Sequence, residues 1–574
     1  MELHRRQTLR REMEITPFKE KKEMPPKSSK TRKWDLETDV LVVGTGASGL
    51  VAAIVAHDEG SKVTVIEKTD KVGGATAVSG GFPWIPNNHL EKEAGIPDSR
   101  EEALTYMKFI VAGRVPDELV EAFIDNGPKM LKYIEEKAGL RFTISQMPDY
   151  HAERPGGKVK GRSLGPPAFD SNLLGKWKSR LRQAPVVVFP MSWEDYEKSN
   201  AKADPKNLDY NLLAKNMMKG IVGMGMATIG YLLKACLDRG IEPLMETRGV
   251  ELITEGRRVI GLRAIRQGKD FFIRVSQGVI LASGGFEWNE EMKKQFIPGP
   301  QIYPMSPPSN EGDGQKMAMA IGADIGNMHE IWGVPAGMIP GEEYDGKPLG
   351  RMTMGERSLP HAIMVNRFGK RFVNEAHNYS DIAKAFCTFD PVAYDFCNYP
   401  AWDIFDQQFK DKYLVFTSAP GGPVPEWLIV ADTIEELARK AGIDPKGLKE
   451  TIERFNEFAR KGVDEDFHRG QSAYDRYQGD PNHKPNESLG TIEKPPFYAL
   501  PIVLGTLGTK GGPKTNANGQ VLHVLGGVIE GLYAAGNVMA GTSGPGYGGA
   551  GNTIGAGMTW GYIAAKHVTK QPKR

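Results

Sequence analysis

Apolar residues at the start, middle and end of the chain come in short unbroken runs, whereas those of other segments alternate or recur at helical spacing. Asp39 to Val43 (DVLVV) and Lys62 to Lys68 (KVTVIEK) are runs of the kind that form parallel strands covered on both faces. Between them, LVAAIVAHDEG from Leu50 predicts a buried helix. Two further apolar runs break into small residues, VILASGGF from Val279 and GLYAAGNV from Gly531. Met245 to Ile265 alternates as strands do. Ile221 to Leu233 predicts another buried helix, and no run of about 20 uncharged apolar residues is long enough to cross a bilayer. Pro298 to Pro308 reads as a linker. From Glu330 to about Ile502 strands and helices mix, and Asp432 to Ala459 predicts two amphipathic helices parted by a turn at Gly442 to Pro445.

The first runs enclose a nucleotide fingerprint. Gly44, Gly46 and Gly49 have the G-x-G-x-x-G spacing between strand and helix, and Glu67 ends the second strand 18 residues after Gly49. Gly44 permits the turn, Gly46 admits a pyrophosphate, Gly49 lets helix and strand pack, and Glu67 is placed for ribose hydroxyls. A second glycine-rich stretch, Lys71 to Gly81 (KVGGATAVSGG), follows at once. A nicotinamide nucleotide has little use for it, while a flavin extends further along. Together with the segments at Val279 and Gly531, the pattern resembles flavoproteins with a glutathione-reductase-like FAD fold. Asn537 departs from that resemblance, which has Glu or Asp there.

The expected fold is therefore α/β, a Rossmann-like FAD-binding domain interrupted by an α+β substrate cap. At 574 residues the chain exceeds the roughly 250–300 that one core serves. The expected divisions are a basic tail at 1–36, an FAD-binding domain at 37–300 with an insertion at about 170–215, a catalytic cap at 301–502 and a C-terminal FAD segment at 503–574. The residues expected to hold non-covalent FAD are Gly44, Gly46, Ala47, Ser48, Gly49, Glu67, Lys68, Gly74, Ala75, Thr76, Ser79, Gly80 and Gly81 from the first segments. Val250, Ala282, Ser283, Gly284 and Asp313 join them from the middle, and Gly536, Asn537, Asn552, Thr553 and Ile554 from the end. With one complete fingerprint there is no second nucleotide site, so electrons are expected to leave through a quinone, a carrier protein or oxygen.

Composition narrows the class. Seventy-three basic against 71 acidic residues give no support for a nucleic-acid partner. Cys236, Cys387 and Cys397 are too few and scattered for disulfides or zinc; they are expected as ordinary core thiols in a reducing cytoplasm, and no metal is expected. The first 34 residues hold eleven Lys or Arg and five acids without an apolar run. They read as a solvated tail rather than a secretory signal, or alternatively as a basic arm for an anionic membrane. The insertion, aromatic, basic and apolar by turns (LLGKWKSRLRQAPVVVFPMSWEDY from Leu173), packs on the FAD lobe or faces a lipid interface.

The stretch Gly544 to Trp560 (GPGYGGAGNTIGAGMTW) carries most chemistry. Seven glycines fall between Gly544 and Gly557, with Tyr547 among them and a helix after. Such a loop offers backbone N–H groups at the positive end of a helix dipole. Tyr547 adds a neutral O–H donor.

Five blocks, GGFPWIPNNHLEKEAG from Gly80, PDYHAERPGG from Pro148, GKRFVNEAHNY from Gly369, GTLGTKGG from Gly505 and YGGAGNTIG from Tyr547, resemble the 3-ketosteroid Δ1-dehydrogenases. These lie within the wider fumarate-reductase-like flavoproteins. The resemblance runs from about Thr38 to Val568 and implies a bacterial, FAD-dependent enzyme of steroid degradation. It implies that Tyr547 O–H and Gly551 N–H hold the 3-keto oxygen, Tyr379 takes a proton α to it, Tyr150 assists, and hydride from C1 goes to flavin N5. Two preorganised donors at the carbonyl are what an enolate-like transition state needs.

Rival readings are a Δ4-3-ketosteroid dehydrogenase, a fumarate or urocanate-type reductase, and a flavin-binding protein without catalysis. A reductase needs arginines to clamp carboxylate. Arg357 and Arg371 are candidates, though each also reads as a structural ion pair.

Overall fold

The computed structural model describes residues 33–186, 189–201 and 204–574. The basic tail expected at 1–36 lies outside the described residues except for its last four, and Leu36 already opens the first strand. Asp35 to Arg574 forms one compact unit built on two sheets.

The first sheet runs Val63–Ile66, Leu36–Val43, Lys269–Leu281, Val528–Ala534, Arg258–Arg266, Thr247–Glu255. Start, middle and end of the chain thus lie side by side. Val43 pairs in parallel with both Ile66 and Leu281, and Leu281 with Ala534. Val40, Leu41 and Val42 are fully buried, as unbroken apolar strands must be when helices cover both faces. One cover is the helix Ala47–Asp58, packed against the final helix Asn552–Val568, and the buried helix Met224–Asp238 packs on Ala47–Asp58 in turn. The alternating segment forms two antiparallel strands, Thr247–Glu255 and Arg258–Arg266.

The second sheet, Lys347–Met352, Ile331–Tyr344, Phe497–Thr509, Ala401–Asp406, Ala362–Asn366, is antiparallel along that order. Two divisions differ from those expected. The strand Phe497–Thr509 keeps pairing past 502, with Gly505 opposite Val334 and Thr509 opposite Ile331, so the cap continues to Thr509. Conversely, Met317, Ala318 and Ala323 pack into the core of the first lobe, which therefore takes in part of the chain after 300. The apolar contacts of the helix Asp313–Ala320 decide its membership, and the Pro-rich composition before it does not report them. The expected linker itself contains a strand, Ile302–Pro304, parallel to Leu504–Thr506.

The two amphipathic helices appear as Ile434–Ala441 and Pro445–Lys461, the first closed by Gly442 in the left-handed region and the second opened by Asp444. In the insertion, Leu174, Trp177 and Leu181 join the first core, while Leu173, Tyr210, Leu212, Met217 and Met218 are exposed. Of the cysteines only Cys236 is fully buried; Cys387 and Cys397 are half-buried, which corrects their reading as core thiols.

Candidate active site

A cavity of about 550 Å³ runs from the mouth of the G-x-G-x-x-G turn to the cap sheet. Its first end is made mostly of backbone. Gly44 has φ +111°, and a Cβ there would sit 2.4 Å from the Ala282 carbonyl oxygen. Gly49 is a packing residue and does not line the cavity: its Cβ would meet the Gly44 carbonyl oxygen at 2.2 Å. Gly46, by contrast, has only Thr76 Oγ1 near at 4.0 Å, which leaves its face open toward the cavity at the helix N-terminus. A pyrophosphate fits this cradle. The Ser283 hydroxyl is buried there without a protein partner, as expected of a group that bonds a ligand.

Glu67 is held from both sides. One carboxylate oxygen accepts from Thr45 N–H at 3.3 Å and Thr45 Oγ1 at 2.6 Å, the other from Thr69 N–H at 3.0 Å. Lys68 and Asp313 prove to be partners at 2.9 Å, and Asp313 also accepts from Arg248 at 2.6 Å. Gly74, Ala75, Thr76, Ser79, Gly80, Gly81, Ala282, Gly284, Gly536, Asn537, Thr553 and Ile554 all line the cavity. Besides Gly49, two expected residues do not. Thr247 and Gly249, on the same strand, line it in place of Val250. Asn552 instead braces the glycine-rich loop, its Oδ1 accepting from Ser543 Oγ at 2.6 Å and Gly548 N–H at 3.4 Å. Asn537 bonds within the protein, accepting from Trp332 Nε1 at 3.0 Å.

The second end is made of side chains from four distant segments. Tyr150, Tyr379 and Tyr547 converge with ring centroids 5.1 to 5.7 Å apart. Their hydroxyls form a hydrogen-bonded chain from Tyr150 through Tyr379 to Tyr547. Tyr547 also accepts from Thr553 Oγ1 at 3.1 Å and from the Gly551 N–H. Gly551 has φ +99°, and a Cβ there would meet the Phe82 carbonyl oxygen at 2.5 Å, so only glycine lets this N–H open the helix. Tyr150 N–H and Tyr106 O–H both bond the Gly548 carbonyl, at 3.1 and 2.6 Å, which fastens the Tyr150 turn to the Tyr547 loop.

Tyr474 was not foreseen. Its ring lies 4.9 Å from that of Tyr150, and it lines the cavity with Met147, Met352, Met354 and Leu507. No spacing marks it, because it reaches the site from the helix Ala473–Gln478, deep in the cap. Burial raises the pKa of Tyr150 and Tyr379 well above the ordinary value and that of Tyr547 above it, and pushes Tyr474 up to about 12. The guanidinium of Arg357 opposes the rise at Tyr474.

The two arginines differ. Arg371 is the structural ion pair, 2.7 Å from Glu375 and 2.8 Å from Asp464. Arg357 is fully buried and donates to carbonyl oxygens, those of Thr353 and His377 at 3.0 Å and that of Glu375. Neither lines the cavity. Among the described residues the charged ones that do are Glu67, Lys68 and Asp313, all from the nucleotide segments.

Residues 39–554 match the family model of the FAD binding domain. The chain is 41% identical to the 3-oxosteroid 1-dehydrogenase of Mycolicibacterium smegmatis, covering 93% of this chain and 97% of that one. It is 39% identical to the 4-oxocyclohexanecarboxylate 2-dehydrogenase of Sinomonas cyclohexanicum, covering 93% of each. Its structure matches that of the 3-ketosteroid Δ1-dehydrogenase of Sterolibacterium denitrificans in complex with 1,4-androstadiene-3,17-dione, with a TM-score of 0.86 and 36% identity over 93% of this chain and 99% of that one. Fold, cradle and relatives agree that the cofactor is FAD, and that the chain belongs to the 3-ketosteroid Δ1-dehydrogenase family of FAD-dependent oxidoreductases.

Proposed function

We propose that the protein desaturates the C1–C2 bond of 3-ketosteroids. The observation that carries this reading is a cavity end lined by four tyrosines, methionines and leucines, with no cation among its lining residues. A neutral ketone on a large apolar skeleton suits such a lining; a carboxylate does not. The relative that acts on 4-oxocyclohexanecarboxylate shares the ketone, but its substrate adds an anion for which this end offers no Lys or Arg.

Tyr547 O–H and Gly551 N–H, in hydrogen-bond contact with each other here, act as the two donors to the 3-keto oxygen once it takes the Gly551 N–H, strengthening as negative charge grows there. Tyr379, ionised beforehand, accepts the C2 proton and becomes a neutral phenol, and Tyr150, hydrogen-bonded to it, shares the charge of the phenolate before the transfer. When bound, FAD supplies the two-electron acceptor for the hydride that leaves C1. Because burial holds the Tyr379 pKa well above its ordinary value, the ionised fraction is small at neutral pH, and the rate of proton abstraction rises with pH.

The test is anaerobic mixing with 4-androstene-3,17-dione, 4-oxocyclohexanecarboxylate and fumarate, followed by flavin absorbance and product identification. Only the steroid is expected to bleach the flavin, giving the 1,4-diene. Tyr379→Phe and Tyr547→Phe are each expected to keep FAD and slow bleaching by at least about a hundredfold. Near-normal rates in both variants sink the mechanism.

Two finer points belong to the same proposal. A quinone or other carrier takes the electrons. The exposed Leu173, Tyr210, Leu212, Met217 and Met218, set among Lys176, Lys178, Lys215 and Lys219, make a peripheral contact with an anionic lipid surface. Pro185 and Val186 of the same insertion line the cavity. Co-sedimentation with anionic but not neutral vesicles, lost in Met217→Ser/Met218→Ser, checks the contact; equal binding to both vesicles refutes it.

A further inference from the structure

Three of the four tyrosines are chain neighbours of a single run of charged groups that the chemistry above does not use. His151, next to Tyr150, has Nε2 3.0 Å from Asp381 Oδ2. Asp381 lies two residues after Tyr379, on the helix that Tyr379 opens. His377, two residues before Tyr379, has Nε2 3.6 Å from the same Asp381 oxygen and Nδ1 3.9 Å from Asp475 Oδ1. Asp475 adjoins Tyr474 and is almost wholly buried, its Oδ2 taken by Asn374 Nδ2 at 2.9 Å and Gly470 N–H at 3.1 Å. The turn after Tyr150 touches the Tyr474 helix a second time, through Glu153 and the Ala473 N–H at 2.5 Å.

The tyrosines come from segments separated by more than two hundred residues of chain in the widest case, and each is a flexible phenol at the end of a rotatable side chain. Proton transfer requires their oxygens to be aligned to within a fraction of an ångström. Here the backbones that carry them are joined by side chains that do not line the cavity, through one close ion pair, His151 to Asp381, and two longer ones from His377 to Asp381 and Asp475. We propose that the His151–Asp381–His377–Asp475 chain is a positioning device that fixes Tyr150, Tyr379 and Tyr474 relative to one another, and that His151 and His377 are positioning residues for proton abstraction. The inference rests on the tyrosine chemistry proposed above.

The device is sensitive to pH. Burial alone lowers the pKa of His377, but the nearby carboxylates of Asp381 and Asp475 overcome this and raise it to about 9. His151 and His377, with Lys384, drive Asp381 well below the ordinary carboxylate range. The groups facing His377 are Asp381 and Lys384 from the Tyr379 helix, Asp475 from the Tyr474 helix, His151 from the Tyr150 turn and the Arg357 guanidinium at its carbonyl. A raised histidine pKa means that the contact is whole below its ordinary value of about 6.5 and is lost as pH rises through about 9. The side-chain donor atoms of His151, His377 and Asp381 lie within 4.8 Å of one another, yet Asp381 is already filled by Asn378 Nδ2 at 2.8 Å and Lys384 at 3.2 Å, which marks an ion chain rather than a metal site.

The experiment is anaerobic rapid mixing of the FAD-loaded protein with 4-androstene-3,17-dione, reading the rate of flavin bleaching from about pH 6 to about pH 10. In the unaltered protein the logarithm of the rate is expected to climb with pH and bend over near pH 9, where the clamp opens. In His377→Gln the climb continues without the bend, from a rate at pH 7 lower by about tenfold, with substrate affinity within about threefold. Asp475→Asn moves the bend to lower pH. His151→Gln, at the half-exposed end, repeats the loss of rate should His377→Gln not fold. An unchanged bend in His377→Gln, or rates within about twofold of the unaltered protein in both histidine variants, overturns the proposal. So does a loss of rate on chelation that zinc alone restores. A failure of the steroid to bleach the unaltered protein refutes the function itself, a result distinct from all of these.

Discussion

The two ends of the cavity are built by opposite means. The nucleotide end is backbone: glycines at 44, 46, 49 and 74 are close in sequence, and at 44 and 49 steric exclusion by neighbouring carbonyl groups makes them irreplaceable. The tyrosine end is side chain: residues 150, 379, 474 and 547 meet only after both lobes have folded. A backbone site fails all at once when a Cβ enters it, since no rotamer relieves the clash. A side-chain site fails by degrees, because each phenol contributes one oxygen.

The sharpest way to break that contrast is Gly44→Ala. The new Cβ would meet the Ala282 carbonyl oxygen at 2.4 Å from a backbone at φ +111°, and both strain and overlap fall on the FAD cradle. The expected outcome is protein purified without flavin and without steroid-dependent bleaching, measured by the ratio of flavin to protein absorbance. Stoichiometric FAD in this variant would mean that the cradle yields as gradually as the tyrosine end.

That contrast also explains what could be read in advance. The FAD lobe was legible because its signals are local: Val40 to Val43, the glycine spacing and Glu67 sit within thirty residues and specify one βαβ unit. Tyr150, Tyr379, Tyr547 and Gly551 were legible through the family blocks, not through any physical pattern in the chain. Tyr474 was missed because nothing around it repeats, and its role follows from where the helix Ala473–Gln478 docks. Val250 and Asn552, expected at the cofactor, do not line the cavity for a related reason. A strand's alternation identifies two faces without saying which looks into the cavity, and an amide beside a glycine loop serves the loop as readily as a ligand. The lobe boundary after Thr509 was invisible for want of long-range pairing information.

Tyr474→Phe sharpens the comparison from the other side. The ring packing on Tyr150 survives and only the hydroxyl, bonded to Gln478, is lost. One hydrogen bond in a buried network is worth about 1 kcal/mol, so bleaching is expected to slow by roughly fivefold to tenfold, with FAD and substrate binding kept. A loss as large as that of Tyr379→Phe would make Tyr474 a direct partner in proton transfer.

The smallest effect is expected where the two ends touch. Lys510 is buried, donates to the carbonyl oxygens of Gly546 at 2.9 Å and Gly544 at 3.4 Å, and lies 4.1 Å from the ring centre of Trp332. Trp332 in turn bonds Asn537 of the FAD lobe and packs on Tyr547. Burial brings the lysine pKa down to about 7. Above that value the folded protein carries Lys510 neutral while the unfolded chain, with its pKa near 10.5, still binds the proton. Stability therefore rises with pH from about 7 to about 10, through this group alone. Lys510→Met keeps the volume but removes both the titration and the two donated hydrogen bonds. It is expected to flatten the rise of Tm across that window and to slow bleaching by about fivefold or less, as the loop bearing Tyr547 loosens. A variant whose Tm still climbs with pH as the unaltered protein's does would show that Lys510 stays charged in the fold. The loop would then be held by a cation, and the neutral character claimed for the tyrosine end would have to stop short of it.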